Sequence, residues 1–161
     1  ITESGKSRPL VLRTNTLLEY PSNKLNTNFP LPLFIFGAFF LFITGISIRD
    51  IFRKKKTDWI DYVLLSISGL SGFIIGWFTL YSEHPAVSPN YNLLWAFPLN
   101  LLFAVIWKVK KWRKKTYTYF YLTTLLLLLS FFMGQQFNPA VYLIILTLLV
   151  RNTVNLIPGI K

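Results

Sequence analysis

Glu83 and His84 stand side by side in this chain, and His84 is its only histidine. A carboxylate beside an imidazole can orient the ring, and imidazole is the side chain that exchanges a proton near neutrality. Asn90, Asn92, Trp95 and Asn100 follow in the same stretch, and Gln135, Gln136 and Asn138 form a second polar set further on. Amide side chains both donate and accept hydrogen bonds, and Trp95 offers an apolar body with one N–H donor. Together these residues could line a polar patch that holds a headgroup or an amine. They could equally be capped turns, with the asparagines closing them and Pro85 and Pro89 stiffening the link. Both readings stay open in the sequence. A second pair of acids, Asp58 and Asp61, has the residue types for metal binding or proton transfer. Beside Arg53, Lys54, Lys55 and Lys56, they are expected instead to balance charge and open a helix, where acids favour the first turn. The chain contains no cysteine, which excludes a disulfide, a thiolate metal site and a cysteine nucleophile within it. No metal site or cofactor is expected, although a phospholipid could bind.

The solvent around these residues decides what they can do. The chain has 161 residues and is 53% hydrophobic but only 14% charged, against about 25% charged in a soluble domain. The apolar residues come in long runs, which places the chain in the membrane class. Its net charge of +11 would suit nucleic acid, but the distribution argues against that partner. Eleven of the seventeen Lys and Arg lie in two short clusters, "RDIFRKKK" and "KVKKWRKK", each flanked by apolar runs. This is the pattern of cytoplasmic loops under the positive-inside rule. Arg53, Lys54, Lys55, Lys56, Lys110, Lys111, Arg113, Lys114 and Lys115 are therefore expected to contact anionic lipid headgroups.

The expected fold is all-α: a polytopic bundle of five spans in residues 31–161, preceded by a juxtamembrane connector in residues 1–30. The connector includes "LVLRTNTLLEY", a candidate strand or linker. It reads as the continuation of something upstream. Spans are expected at about 31–48, 59–81, 92–107, 116–133 and 139–157, each close to the ~20 residues that cross a bilayer. Trp59, Tyr62, Trp77 and Tyr81 suit the interfacial aromatic belts. In the last segment Arg151, Asn152 and Asn155 interrupt the apolar pattern. The preferred reading is a full span with Arg151 snorkelling toward the interface; a re-entrant segment, leaving four spans, is the alternative. With both basic clusters inside, the N-terminus lies outside, the C-terminus inside, and both polar sets share the outer face. Ser68, Gly69, Gly72 and Gly76 form a small-residue stripe of the kind that lets helices approach closely in lipid. No mid-membrane acid, paired discontinuous helix or internal repeat points to a transporter.

The stretch "EHPAVSPNYNLLWAFPLNLL", followed by "GQQFNPAV", resembles the membrane-embedded C-terminal half of a Gram-negative bacterial family whose members carry an Lnb-type N-terminal periplasmic domain. The associated pattern is Asp-His-Pro-x-Thr, then Asn-x-Asn-Leu-Leu-Trp-x-x-Pro, then a later Pro-Gln-x-x-Asn. His84, Pro85, Asn90, Asn92, Leu93, Leu94, Trp95, Pro98 and Gln136 match it, with Asn138 near its last position. Glu83 stands in place of Asp, Val87 of Thr and Gln135 of Pro. "GKSRPLVLRTNTLLE" also looks like the connector after that family's periplasmic domain. The resemblance implies a multi-pass protein of the bacterial inner membrane associated with N-acylation of lipoproteins. Papain-like catalytic residues would then lie in a periplasmic domain outside these residues. This chain would anchor that domain and offer a lipid-facing platform, with membrane lipids and a lipoprotein substrate as partners. The rival reading is a non-catalytic membrane subunit of a larger complex, docked through the glycine face of the second span.

Overall fold

The computed structural model describes residues 2–3, 6–7, 30–82, 90–106 and 113–160, the first four and 113–115 by backbone alone. Two units separate, residues 1–30 and 31–161. In the first, β1 (Thr2–Glu3) and β2 (Lys6–Ser7) form a two-residue antiparallel ladder with Thr2 opposite Ser7. The candidate strand at residues 10–20 lies outside the described residues.

The second unit is helical: α1 (Leu31–Arg53), α2 (Asp58–Tyr81), a 3₁₀ turn (Tyr91–Leu94), α3 (Leu99–Ile106), α4 (Arg113–Leu129) and α5 (Pro139–Leu156). Three of these, α1, α2 and α5, are long and apolar enough to cross a membrane. The 24 residues of α2 rise about 36 Å, against a hydrocarbon core of ~30 Å. Trp59 and Trp77, both exposed near opposite ends of α2, are separated by about 27 Å of helix. That spacing fits two aromatic belts. Leu41, Phe42 and Ile48 on α1, and Ile67, Leu70 and Phe73 on α2, all point outward. So much apolar surface is stable only in hydrocarbon.

Local chemistry sets the boundaries. Beyond Arg53 the backbone turns through Lys54, whose φ of 50° is left-handed. Asp50 then closes the hairpin by accepting from the Thr57 N–H (2.9 Å) and the Thr57 hydroxyl (2.7 Å). At the other end of the bundle Asn138 caps α5, accepting from the Ala140 N–H at 3.0 Å, with Pro139 in the first turn, where its missing N–H costs nothing. Asn138→Ala should therefore lower stability by about 1 kcal/mol, read as a small fall in the thermal midpoint in detergent. Asn138→Ser should restore most of it.

One expectation changes. The third apolar run is not one helix over residues 92–107. It is a 3₁₀ turn, an irregular break at Trp95–Pro98, and the eight-residue α3. Pro98 lacks an N–H and pushes Phe97 away from helical torsions. Irregular backbone at membrane depth must be buried in protein, and here the small-residue stripe of α2 covers it. A Cβ on Gly72 would overlap the Ala96 carbonyl oxygen, and one on Gly69 would overlap the Leu101 backbone N. The partner of the stripe is thus the chain's own broken third segment. The last run is a single helix of 18 residues, long and apolar enough for the full span preferred from the sequence.

Packing centres on α5, which lies against α1 on one side and α4 on the other, while α2 pairs with α3. Ile43, Ile60, Leu64, Leu127, Ile145 and Leu148 form the shared core. α4 and α5 run antiparallel, since Thr123 meets Asn152 and the ring of Phe131 stacks on Tyr142. The basic start of α4 therefore falls at the same end as the α1–α2 turn.

Candidate functional site

Polar side chains enter the helical unit at three depths. At the end that carries the basic turns, the deepest charge is Arg151. It is 2% exposed and reaches across from α5 to both helices of the α1–α2 hairpin. Its Nε and Nη2 donate to the two carboxylate oxygens of Asp61 at 2.8 and 2.6 Å, a fork-to-fork pair. Nη1 donates to Asp50 at 3.0 Å and to Ser47 at 3.3 Å, and Nη2 also to the Thr57 carbonyl at 3.5 Å. Asp50 takes a further bond from Arg49 at 3.1 Å. Two guanidinium groups thus balance two carboxylates, and every N–H of Arg151 is engaged.

This corrects two sequence-based expectations. Arg151 does not snorkel to the interface, and Asp61 does not serve the neighbouring lysines but forms an internal ion pair with α5. Asp58 remains exposed in the first turn of α2, as expected. The pairing had one legible signal: charged residues within membrane segments pair with one another, and Arg151 has few acids to choose from. Both oxygens of Asp61 are taken by Arg151. Among the described residues no three potential ligands cluster.

At mid-depth, Asn100 links three helices. Its amide donates to the Ser68 hydroxyl at 2.8 Å, and the Tyr119 hydroxyl donates to its carbonyl oxygen. The Tyr119 ring stacks on Phe103 with centroids 3.7 Å apart. Asn152 joins α5 to α4 by donating to Thr123 (3.0 Å) and Thr124 (3.2 Å). The void between Asn100, Thr123 and Asn152 is about 10 Å³, room for one water at most. No substrate could enter there. Asn100, expected in the outer patch, is a buried bundle linker instead: it is the second residue of α3 and faces Ser68.

The opposite end brings several expected patch residues together. Gln135 accepts from the Tyr91 N–H at 2.8 Å, tying the two polar loops to each other. Asn90 accepts from the backbone and side-chain N–H groups of Asn92 at 3.1 and 2.9 Å, and Trp95 donates its indole N–H to Asn92 at 2.8 Å. Gln136 and Asn138 are exposed on the same linker, with Asn138 committed to its helix cap. Glu83 and His84 lie outside the described residues, as do Lys110 and Lys111. Arg113, Lys114 and Lys115 form the first turn of α4. Arg53, Lys54 and Lys55 are exposed at the turn, and Lys56 reaches the Asn155 carbonyl at 3.4 Å. Among the described residues of the helical unit, the charged side chains gather at one end and uncharged amides at the other.

Residues 24–161 match the model of the Lnb transmembrane domain, a 5TMH family. This chain belongs to that family. The resemblance read from the His84–Pro98 and Gln136 motifs is therefore correct, and the protein is a multi-pass membrane protein. Comparison with curated proteins and with solved structures gave no match. In this Lnb transmembrane domain, the family's Asn-x-Asn-Leu-Leu-Trp-x-x-Pro stretch forms the 3₁₀ turn and the break, which rests on Gly72. Both asparagines of that stretch have a bonding role in the turn.

Proposed function

We propose that this Lnb transmembrane domain is the membrane half of a periplasmic-facing, lipoprotein N-acylating protein of the bacterial inner membrane. It crosses five times, with the broken α3 segment as the third crossing, the N-terminus periplasmic and the C-terminus cytoplasmic. The basic α1–α2 turn and the start of α4 face the cytosol, where Lys and Arg bind anionic headgroups at about 1 kcal/mol each. The amide-rich end faces the periplasm. There it anchors a catalytic domain and presents a platform for a phospholipid headgroup or the amine of a lipoprotein substrate. Glu83 and His84 belong to this platform, with Glu83 orienting the ring.

The observation that carries this reading is the bond between Gln135 and the Tyr91 N–H. It joins two loops distant in sequence into one amide-rich, hydrogen-bonding surface at the end away from the basic turns. Neutral amides there suit a zwitterionic headgroup or an amine better than they suit a bulk anion. The rival subunit role would need another docking face, since the glycine face of α2 is occupied by the chain's own α3 segment.

The test is lipoprotein N-acylation in cells making the natural protein with His84→Ala or Gln135→Ala, read by mass spectrometry of lipoprotein N-terminal peptides. Acylation should fall by at least about tenfold, the worth of one hydrogen bond to a charged bound group, with unchanged amounts of protein in the membrane. Full acylation in both variants would remove this end of the bundle from the mechanism.

A further inference from the structure

Below the amide-rich end lies a cleft of about 390 Å³. Its walls come from three elements: Gly76 and Leu80 on α2, Leu93 and Phe97 with Pro98 along the 3₁₀ turn and break, and Leu126 on α4. The lining is almost wholly carbon. Gly76 leaves the α2 wall bare of a side chain, and a Cβ there would come into ordinary contact with the Leu93 side chain at 3.7 Å. The cleft and the polar patch share one short element. In the 3₁₀ turn Asn92 bonds with Asn90 and Trp95, while the next residues, Leu93 and Leu94, line the cleft.

We infer that this cleft is a binding site for one acyl chain of a membrane phospholipid, whose headgroup lies at Asn90, Asn92 and Gln135. Three observations narrow the occupant. Water needs two to four polar partners, and carbon walls supply too few. A transmembrane helix is ~10–12 Å across, too thick for a cleft of this volume. An empty cleft would forfeit dispersion contacts along its whole lining, in a solvent made of hydrocarbon chains that can supply them. A flexible hydrocarbon chain suits these walls, and the adjoining amides match the polar end of the same molecule. The inference rests on the proposed lipid platform for the headgroup, and adds the place of the tail.

The protein, purified in nanodiscs of phosphatidylethanolamine and phosphatidylglycerol, is doped with phosphatidylethanolamine carrying a photoreactive diazirine on one acyl chain. Cross-links are mapped by mass spectrometry. They should concentrate on Leu93, Phe97 and Leu126 relative to Phe42, which faces bulk lipid on α1. Gly76→Leu and Leu126→Trp fill the cleft from opposite walls. Each should lower those cross-links at least about tenfold, as expected when about two methylenes lose their place, while Phe42 labelling stays constant. Even labelling of the cleft and Phe42, or enrichment that survives both fillings, would overturn the assignment. A headgroup-free photoreactive alkane that labels the cleft as strongly as the phospholipid would also overturn it, because the site would then be an unspecific apolar crevice. Since the readout is labelling rather than acylation, failure here leaves the platform itself standing. Failure of the platform test leaves the tail site to be judged by its own cross-links.

Discussion

Replacing Arg151 with Leu will destabilise the protein by about 3–5 kcal/mol, the loss expected when one partner of a buried ion pair is removed. The cause is what remains. Asp61 loses both bonds of its fork, and Asp50 loses its 3.0 Å bond, leaving two carboxylates that are at most 2% exposed without their shared cation. The hairpin of α1 and α2 would then repel itself where it must dock on α5. Thermal or denaturant unfolding in detergent should show a large fall in midpoint. The triple variant Arg151→Met, Asp50→Asn, Asp61→Asn should recover most of it, because removing all the charges also removes the desolvation penalty. If Arg151→Leu alone were neutral, the cluster would not be closing the bundle.

A side chain at Gly72 has the second large effect. A Cβ there would lie 2.6 Å from the Ala96 carbonyl carbon and 2.9 Å from the Pro98 nitrogen. These are backbone atoms, so no rotamer change can make room. The break at Trp95–Pro98 would lift off α2 and expose irregular backbone to lipid, which has no hydrogen bonds to offer. Gly72→Val should cost more than about 3 kcal/mol, the upper end of what overpacking does, and Gly69→Val should behave alike. Gly45→Ala is the control. Nothing lies within 4 Å of a Cβ there, so stability should stay within about 1 kcal/mol of the natural chain. Equal losses at Gly72 and Gly45 would mean that the stripe is not the bed of the broken segment.

Some of this was legible in the residues alone. The apolar runs that became α1, α2 and α5 are long and nearly free of interruption, and burial in lipid rewards composition over a whole span. The small-residue stripe at Ser68–Gly76 was visible as a packing surface. Its partner was not, because hydropathy weighs composition and Trp95–Pro98 is as apolar as a helix would be. Pro98 was the one mark of the break. The Arg151 cluster was hidden for a different reason: its bonds join residues 90 and 101 positions apart, and no local pattern carries such a pairing. At the amide-rich end, sequence placed Asn90, Asn92, Trp95 and Gln135 together, and they are joined by hydrogen bonds. It placed Asn100 there too, although α3 carries that residue down to Ser68 and Tyr119.

The proposed topology puts the amide-rich end and the basic end in opposite compartments. The chain itself has no cysteine, so a label mapped by mass spectrometry to its peptides reports the single substitution. Gln136→Cys and Lys55→Cys, both at exposed positions, can be treated in intact cells with a membrane-impermeant maleimide. Position 136 should label in intact cells, and position 55 only after the membrane is opened. Labelling of both from the same side, or of position 55 alone, would contradict that topology.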